Sequence, residues 1–346
     1  MNRNRQRKTG VFSWLGAALL VLVSAVSVPA GEVVIQAAGD VMLGGRWEQQ
    51  VARNDYFHPF EKITAELKKS DITLVNLEAP LTSRGSEYTD KKYRFRIKPQ
   101  AAAALKKAGI TTVTLANNHS MDYGAEGLLD TLQQLDKSGI GYVGAGADLA
   151  AARKPVIYAV RGTRVAILGY SLTLPQEFWA GEKRAGTAPL LEKLVKADIA
   201  VARKQASIVI VTVHWGEEGT TRLREYQPRL GRMMIDSGAD AVIGHHPHIL
   251  QGVEVYRRGI IFYSLGNFAF AHKSKIADRT LLVRLRFEGN KRTAELVPVN
   301  ILHRVVGFQP TLLTGEKGDE VVERVKRLPP ESVTIRKEGE RWLVDF

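Results

Sequence analysis

The chain has 346 residues, 45% of them hydrophobic, and a formal net charge of +13. That length and apolar content suffice for one large core and exclude a low-complexity chain, while the absence of cysteine excludes disulfides and any thiolate metal site. The surplus of cations favours anionic surfaces or substrates, but the cations are spread along the chain with no recognised binding motif, so nucleic acid is not an expected partner.

Residues 1–30 open with Arg3, Arg5, Arg7 and Lys8, continue through an apolar stretch from about Val11 to Val28, and end on the small residues Val28-Pro29-Ala30. This reads as a secretory signal peptide or an N-terminal membrane anchor. Ser13, Gly16, Ser24 and Ser27 interrupt the stretch, which makes it marginal for a span of about 20 apolar residues and favours cleavage over retention. The basic flank directs the remainder out of the cytoplasm. The protein is therefore expected to be exported, in a periplasmic or extracytoplasmic location. Four of the thirteen net charges belong to this leader, leaving +9 for the rest.

Residues 33–38 read as a strand and 59–69 as an amphipathic helix with Phe60, Ile63 and Leu67 on one side. A strand at 72–75, a helix at 99–108 starting at a proline, a strand at 111–115 and a helix at 124–137 stopping before Gly139 continue the alternation. It resumes with strand 164–168, helix 189–205, strand 208–213, helix 224–237 and strand 241–243. Hairpin-like strands follow at 253–256, 260–264, 280–287 and 293–301, with Gly259 and Gly289-Asn290 as turn signals. This order predicts an α/β fold of two mixed sheets packed together with helices outside. Residues 31–305 form the main domain, and 306–346 read as an extension of a closing strand, a short helix near 317–327 and a polar tail.

Several of these strands stop at residues that bind metals. Residues 33–38 run into Gly39-Asp40, 72–75 into Asn76-Leu77-Glu78, 111–115 into Asn117-Asn118-His119, 208–213 into His214-Trp215-Gly216, and 241–243 into Gly244-His245-His246-Pro247-His248. In α/β sheets ligands bind at the carboxyl ends of the strands. Taken singly, Asp40 or Glu78 is more readily read as a capping or turn residue; five such ends together point to one site. On extended backbone, side chains alternate, so His246 and His248 are expected to point the same way.

The ordered set Gly39-Asp40, Asn76-Leu77-Glu78, Asn117-Asn118-His119, His214-Trp215-Gly216-Glu217-Glu218, Gly244-His245-His246-Pro247-His248 and Ser264-Leu265-Gly266-Asn267-Phe268 resembles the CapA family of capsule (poly-γ-glutamate) biosynthesis proteins. That family is in turn similar to calcineurin-like metallophosphoesterases. The likeness spans about Val33 to Phe270. It implies a four-layer α/β/β/α sandwich and a two-ion site in which Glu78 bridges, Asn118, His214 and His246 complete one ion, and Asp40 with His248 serves the other. It also implies that His119 stabilises the transition state or protonates the leaving group. The family pattern departs at Met42, where phosphoesterases keep a histidine; a thioether does not replace imidazole for such an ion, which leaves one position short of a ligand.

Carboxylate, carboxamide and imidazole donors suit Mn, Fe, Zn or Mg, as one or two divalent ions. Lys91, Lys92, Arg94, Arg96 and Lys98 interleave with Tyr93, Phe95 and Ile97, a period-two pattern that reads either as substrate-binding cations on one side of a strand or as a solvated edge. Arg94 and Arg96, with Glu218 and Asn267, are the candidate substrate contacts, for an anionic polymer or a phosphorylated envelope substrate. Trp179, Trp215, Phe178 and Phe268 read as core. The residues, taken with the CapA resemblance, imply an exported metal-dependent hydrolase-like protein of cell-envelope or capsule polymer metabolism, with phosphoester hydrolysis as the leading reaction. Two other readings stay open: a non-catalytic accessory that binds anionic polymer and assists a membrane-bound synthase complex, and a metal-independent isomerase or amide-bond enzyme using Asp40, Glu78 and His119 as acid and base.

Overall fold

Near-continuous apolar runs become strands buried on both faces, because each sheet is covered twice. A computed structural model describes residues 31–45, 48, 55–270, 277–330 and 333–346; the expected leader, residues 1–30, lies outside them. No helix among the described residues is long and apolar enough to cross a membrane.

The strands in the first half are β1 (Val33–Met42), β2 (Ile72–Leu77), β3 (Thr112–Thr114), β4 (Gly141–Val143), β5 (Ala145–Gly146), β6 (Val156–Val160), β7 (Thr163–Ser171) and β8 (Gly186–Thr187). Those in the second half are β9 (Ile208–His214), β10 (Ala241–His245), β11 (Val253–Tyr256), β12 (Gly259–Phe262), β13 (Asn267–Phe270), β14 (Arg279–Glu288), β15 (Lys291–Asn300), β16 (Thr311–Leu312), β17 (Arg336–Glu338) and β18 (Arg341–Asp345). One sheet follows the order β17-β18-β15-β14-β1-β2-β3-β4, with β13 paired to β1 and β16 to β15. The other follows β11-β12-β10-β9-β7-β6, and β5 and β8 form a small ribbon. Both sheets mix parallel and antiparallel pairs.

Strand alternation sorts the side chains into three cores. Ile35, Ile72 and Leu74 of the larger sheet meet Ile167, Ile210 and Ile243 of the smaller one between the sheets. Val75 and Leu77 face the helices α1 (Ala101–Ala108) and α2 (Gly124–Ser138). Val209, Val211 and Val213 face α3 (Glu192–Gln205) and α4 (Tyr226–Asp236). The molecule is thus the expected α/β/β/α arrangement, two mixed sheets packed together with helices outside.

Three local expectations need correction. Residues 59–69 are not one helix but a 3-10 turn at His58–Phe60 followed by a short helix at Thr64–Leu67, although Phe60, Ile63 and Leu67 are all buried. Residues 91–96 run as irregular chain rather than a strand, and Ile97 makes only an isolated bridge to Leu81. The expected polar tail is instead the hairpin β17–β18, which pairs with β15 and buries Trp342, Leu343 and Val344; α5 (Gly315–Lys326) packs Val321, Val322 and Val325 into the core between the sheets.

Candidate metal centre

Register brings the polar strand ends to one level. Asp40 pairs with Asn76 on one side and Asn267 on the other, while His245 pairs with His214 in the facing sheet. Gly39 permits this: a Cβ there would stand 1.8 Å from the Gly266 carbonyl oxygen, and the backbone closes up so that Asp40 N donates to that oxygen at 2.9 Å.

Asn76, completely buried, is the hub of the larger sheet's contribution. Its Nδ2 donates to Asp40 Oδ1 at 2.9 Å and to Glu78 Oε2 at 3.2 Å, while its Oδ1 accepts from Asn117 Nδ2 at 2.9 Å. Asn117 Oδ1 then accepts from the backbone of His119 and Ser120, each at 3.0 Å, which fixes the turn presenting Asn118 and His119. From the smaller sheet, His245 Nδ1 lies 3.1 Å from Asp40 Oδ1, and His214 Nε2 lies 2.9 Å from Asn118 Oδ1 and 3.1 Å from His246 Nδ1.

His246 and His248 both face this cluster, but not by strand alternation. Each adopts a left-handed backbone, with φ 97° and 61°, a conformation uncommon outside glycine that is held here by surrounding structure. Their rings lie 6.0 Å apart between centroids. His248 Nδ1 lies 2.9 Å from Asn267 Oδ1 and 3.3 Å from Asp40 Oδ2.

Ligand-type atoms of Glu78, His214 and His246 lie within 4.8 Å of one another, as do those of Asp40, Glu78 and His248, with Glu78 common to both sets. A third set joins the exposed Glu218 to His246 and His248. Asp40 Oδ2 and Glu78 Oε1 are buried without a hydrogen-bond donor among the described residues. The imidazole nitrogens His214 Nε2 and His248 Nε2 stand 3.6 Å and 3.7 Å from Glu78 Oε1. Two buried carboxylate oxygens aimed at one another's surroundings and ringed by imidazoles are expensive unless a cation lies between them.

The electrostatics agree with that reading. Burial lifts Glu78 well above the usual carboxylate range, and Asp40 and Glu218 add to the rise. Burial would also raise Asp40, but His245 and His248 hold it well below its ordinary value. Burial pushes His214 far down and His246 to about 3, so both present lone pairs at neutral pH. His248 alone goes the other way: burial lowers it, yet Glu78 and Asp40 bring it up to about 10, so the cluster calls for positive charge at this position. Met42 is buried with Sδ 3.3 Å from Gly44 N and offers nothing here.

His119 has partners that the sequence reading did not assign. Asp122 Oδ2 lies 2.6 Å from His119 Nδ1, and Lys91 Nζ donates to Asp122 Oδ1 at 2.6 Å and to the Asn118 carbonyl. Lys91 Nζ is also 3.1 Å from His119 Nδ1, but an ammonium only donates, so Nδ1 keeps its proton toward Asp122 and Nε2 is the open nitrogen. Burial lowers His119, partly countered by Asp122. Phe95 packs on the ring, 4.7 Å between centroids.

Of the run at 91–98, then, Lys91 is the cation that enters the site. Arg94 is tied to Glu87 at 3.0 Å and to the Lys91 carbonyl, and Arg96 lies over the Tyr123 ring at 4.7 Å. Asn76, Asn117 and His245 stand in the motifs read from the sequence with no role assigned to them, and Asp122 escaped that reading. His245 had a usable signal, since alternation from Ala241 and Ile243 turns it inward between the sheets.

The family described as bacterial capsule synthesis protein PGA_cap matches residues 34–272. The capsule biosynthesis protein CapA of Bacillus anthracis is 34% identical over 278 residues, which cover 78% of this chain and 68% of that protein. The PGA biosynthesis protein CapA of Bacillus subtilis (strain 168) is 34% identical over 296 residues, covering 84% and 77%. A Mycobacterium tuberculosis (strain ATCC 25618 / H37Rv) protein, named a probable polyglutamine synthesis accessory protein, is 32% identical over 227 residues, covering 62% and 60%. Among solved structures, a 5'-nucleotidase precursor from Thermus thermophilus aligns with a TM-score of 0.47 at 14% identity over 86% of this chain and 58% of that one, a likeness too distant to carry an assignment.

Proposed function

We propose that this chain, which belongs to the bacterial capsule synthesis protein family PGA_cap, is an exported metal-dependent hydrolase of capsule or cell-envelope polymer metabolism, with phosphoester hydrolysis as its reaction. The observation that carries the proposal is the pair of buried carboxylate oxygens, Asp40 Oδ2 and Glu78 Oε1, that make no hydrogen bond among the described residues and share one cluster with His214 and His246, held neutral by burial, and with His248, which the two acids hold positive. Glu78, Asn118, His214 and His246 would hold one divalent ion, and Asp40, Glu78 and His248 a second. Such an ion supplies Lewis-acid polarisation and a bound water acidic enough to ionise near neutrality.

The chain's own groups do the rest. Asn76 and His245 both reach Asp40 Oδ1, which turns Oδ2 toward the centre. Asp122 holds the Nδ1 proton of His119, so Nε2 is the atom that takes up a proton and returns it to the leaving group, a role worth about two to four orders of magnitude in rate. Lys91 and Glu218 stand at the entrance as the groups nearest an incoming anionic substrate, with Arg94 and Arg96 farther along the same segment.

Elemental analysis of the full-length protein purified without added metal, beside Glu78→Ala and His246→Ala, tests the proposal. The parent is expected to retain one or two equivalents of a divalent metal and to hydrolyse p-nitrophenyl phosphate until chelator is added, with both variants depleted. Variants holding as much metal as the parent would overturn it. The name of the mycobacterial relative favours a second reading, an accessory to a polymer synthase; a metal-free, inert protein that binds polyglutamate would establish that one instead.

A further inference from the structure

The ends of the strands opposite the metal centre form a second face of distinct character. The β6–β7, β11–β12 and β14–β15 turns meet there with the residues preceding β2 and β9, since Val33 pairs with Phe287, Val165 with Ile208 and Ala241 with Ile260. Ion pairs clamp the two sheets at this end, Arg161 Nη1 to Asp71 Oδ2 and Arg292 Nη1 to Asp240 Oδ1, each 2.8 Å. Beyond those pairs, Lys68, Arg164, Lys204, Arg258 and Lys291 are exposed and make no ion pair among the described residues. Asp136 and Glu288 are exposed acids at the same end, where Asp236 and Asp345 are also exposed but paired with Arg257 and Arg336.

The chain also enters the fold here. A Cβ on Gly31 would stand 3.1 Å from Arg161 Cδ, and Arg161 Nη1 donates to the Glu32 carbonyl at 2.5 Å. The apolar stretch of the leader ends near Val28, three residues before Gly31. Three extended residues span at most about 10 Å, so while the leader occupies the bilayer this face is the one that rests against it.

We infer that this face docks on the anionic phospholipid surface of the membrane, its unpaired lysines and arginines among the headgroups. The inference rests on the exported reading above. Asp40 lies seven residues along β1 from Val33, so the metal centre stands about 23 Å out from the docked surface at roughly 3.3 Å per residue. A headgroup embedded in the same membrane does not reach that height.

The full-length protein is tested for binding to vesicles of phosphatidylcholine alone and of phosphatidylcholine with phosphatidylglycerol, at low and high salt. The paired reversal Lys204→Glu/Arg258→Glu is compared with Lys92→Glu/Lys98→Glu at the other end. Binding should favour the anionic vesicles, weaken with salt, and fall by at least about tenfold in the first variant at about 1 kcal/mol per cation, with the second unchanged. Equal binding to both vesicles, or equal loss in both variants, would overturn the inference by assigning the attachment to the leader or to overall charge. Displacement of the protein from anionic vesicles by poly-γ-glutamate would also overturn it, assigning the face to the polymer. The readout uses neither turnover nor metal content, so failure of the hydrolase proposal is separable from failure of this one.

Discussion

Replacing Asn76 probes the centre without touching a proposed ligand. Its amide donates to two buried carboxylates, Asp40 at 2.9 Å and Glu78 at 3.2 Å, and bonds to charged groups contribute about 1.5–3 kcal/mol each. Asn76→Ala should therefore lose about 3–5 kcal/mol of stability. Asn76→Asp keeps the shape but inverts the polarity, placing a third carboxyl against two whose other oxygens, Asp40 Oδ2 and Glu78 Oε1, already make no hydrogen bond among the described residues. In chelator it should be less stable than the alanine variant by roughly a further 1–3 kcal/mol. Added Mn or Zn should reverse that order, because extra negative charge raises affinity for a cation, and a ligand at about 100 times its Kd returns roughly 2.7 kcal/mol. Urea unfolding followed by fluorescence of the buried Trp215, with chelator and with metal, measures both. An aspartate variant as stable as alanine in chelator, or an equal metal increment in the two, would refute the account of the centre as a cation cage.

Other residues give independent checks. Asp122→Asn should lower kcat for a phosphoester about 100-fold with KM little changed, through loss of the Nδ1 orientation of His119; unchanged kcat would remove His119 from the chemistry. Gly39→Ala should destabilise by at least about 3 kcal/mol because its methyl meets the Gly266 carbonyl, whereas Gly289→Ala, at φ 56° with nothing within 4 Å, should lose only about 1 kcal/mol; denaturant midpoints compare them. Arg284→Met should lose about 3–5 kcal/mol in urea, since it leaves the buried Glu66 and Glu295 facing each other without their shared guanidinium.

The layered fold was legible because its signals are local. Apolar runs such as 208–213, and proline and glycine boundaries such as Pro99 and Gly139, mark elements that the structure reproduces within a few residues. The run at 91–98 misled because alternation counts side chains, whereas here Lys91 turns inward to Asp122 and Phe95 donates its backbone N–H to the same carboxylate at 2.8 Å. The strand-end residues could be listed but not joined. Asn76, Asn117 and Asp122 are ordinary polar residues in the sequence, and they acquire roles only through partners up to 138 positions away, as between Asn76 and His214. The convergence of His246 and His248 was expected for the wrong reason, since backbone strain at two non-glycine residues has no signature in residue type.

The centre draws its parts evenly from both sheets, acids and amides from the first third of the chain and imidazoles from the last two thirds. Under the export proposed above, a chain threaded unfolded through a channel cannot assemble this cage until His246 and His248 have emerged, long after Asp40 and Glu78. The ion that is captured would then be chosen by the concentrations prevailing outside, where folding finishes, and the cytosolic metal pool would have no say in which element the mature protein carries.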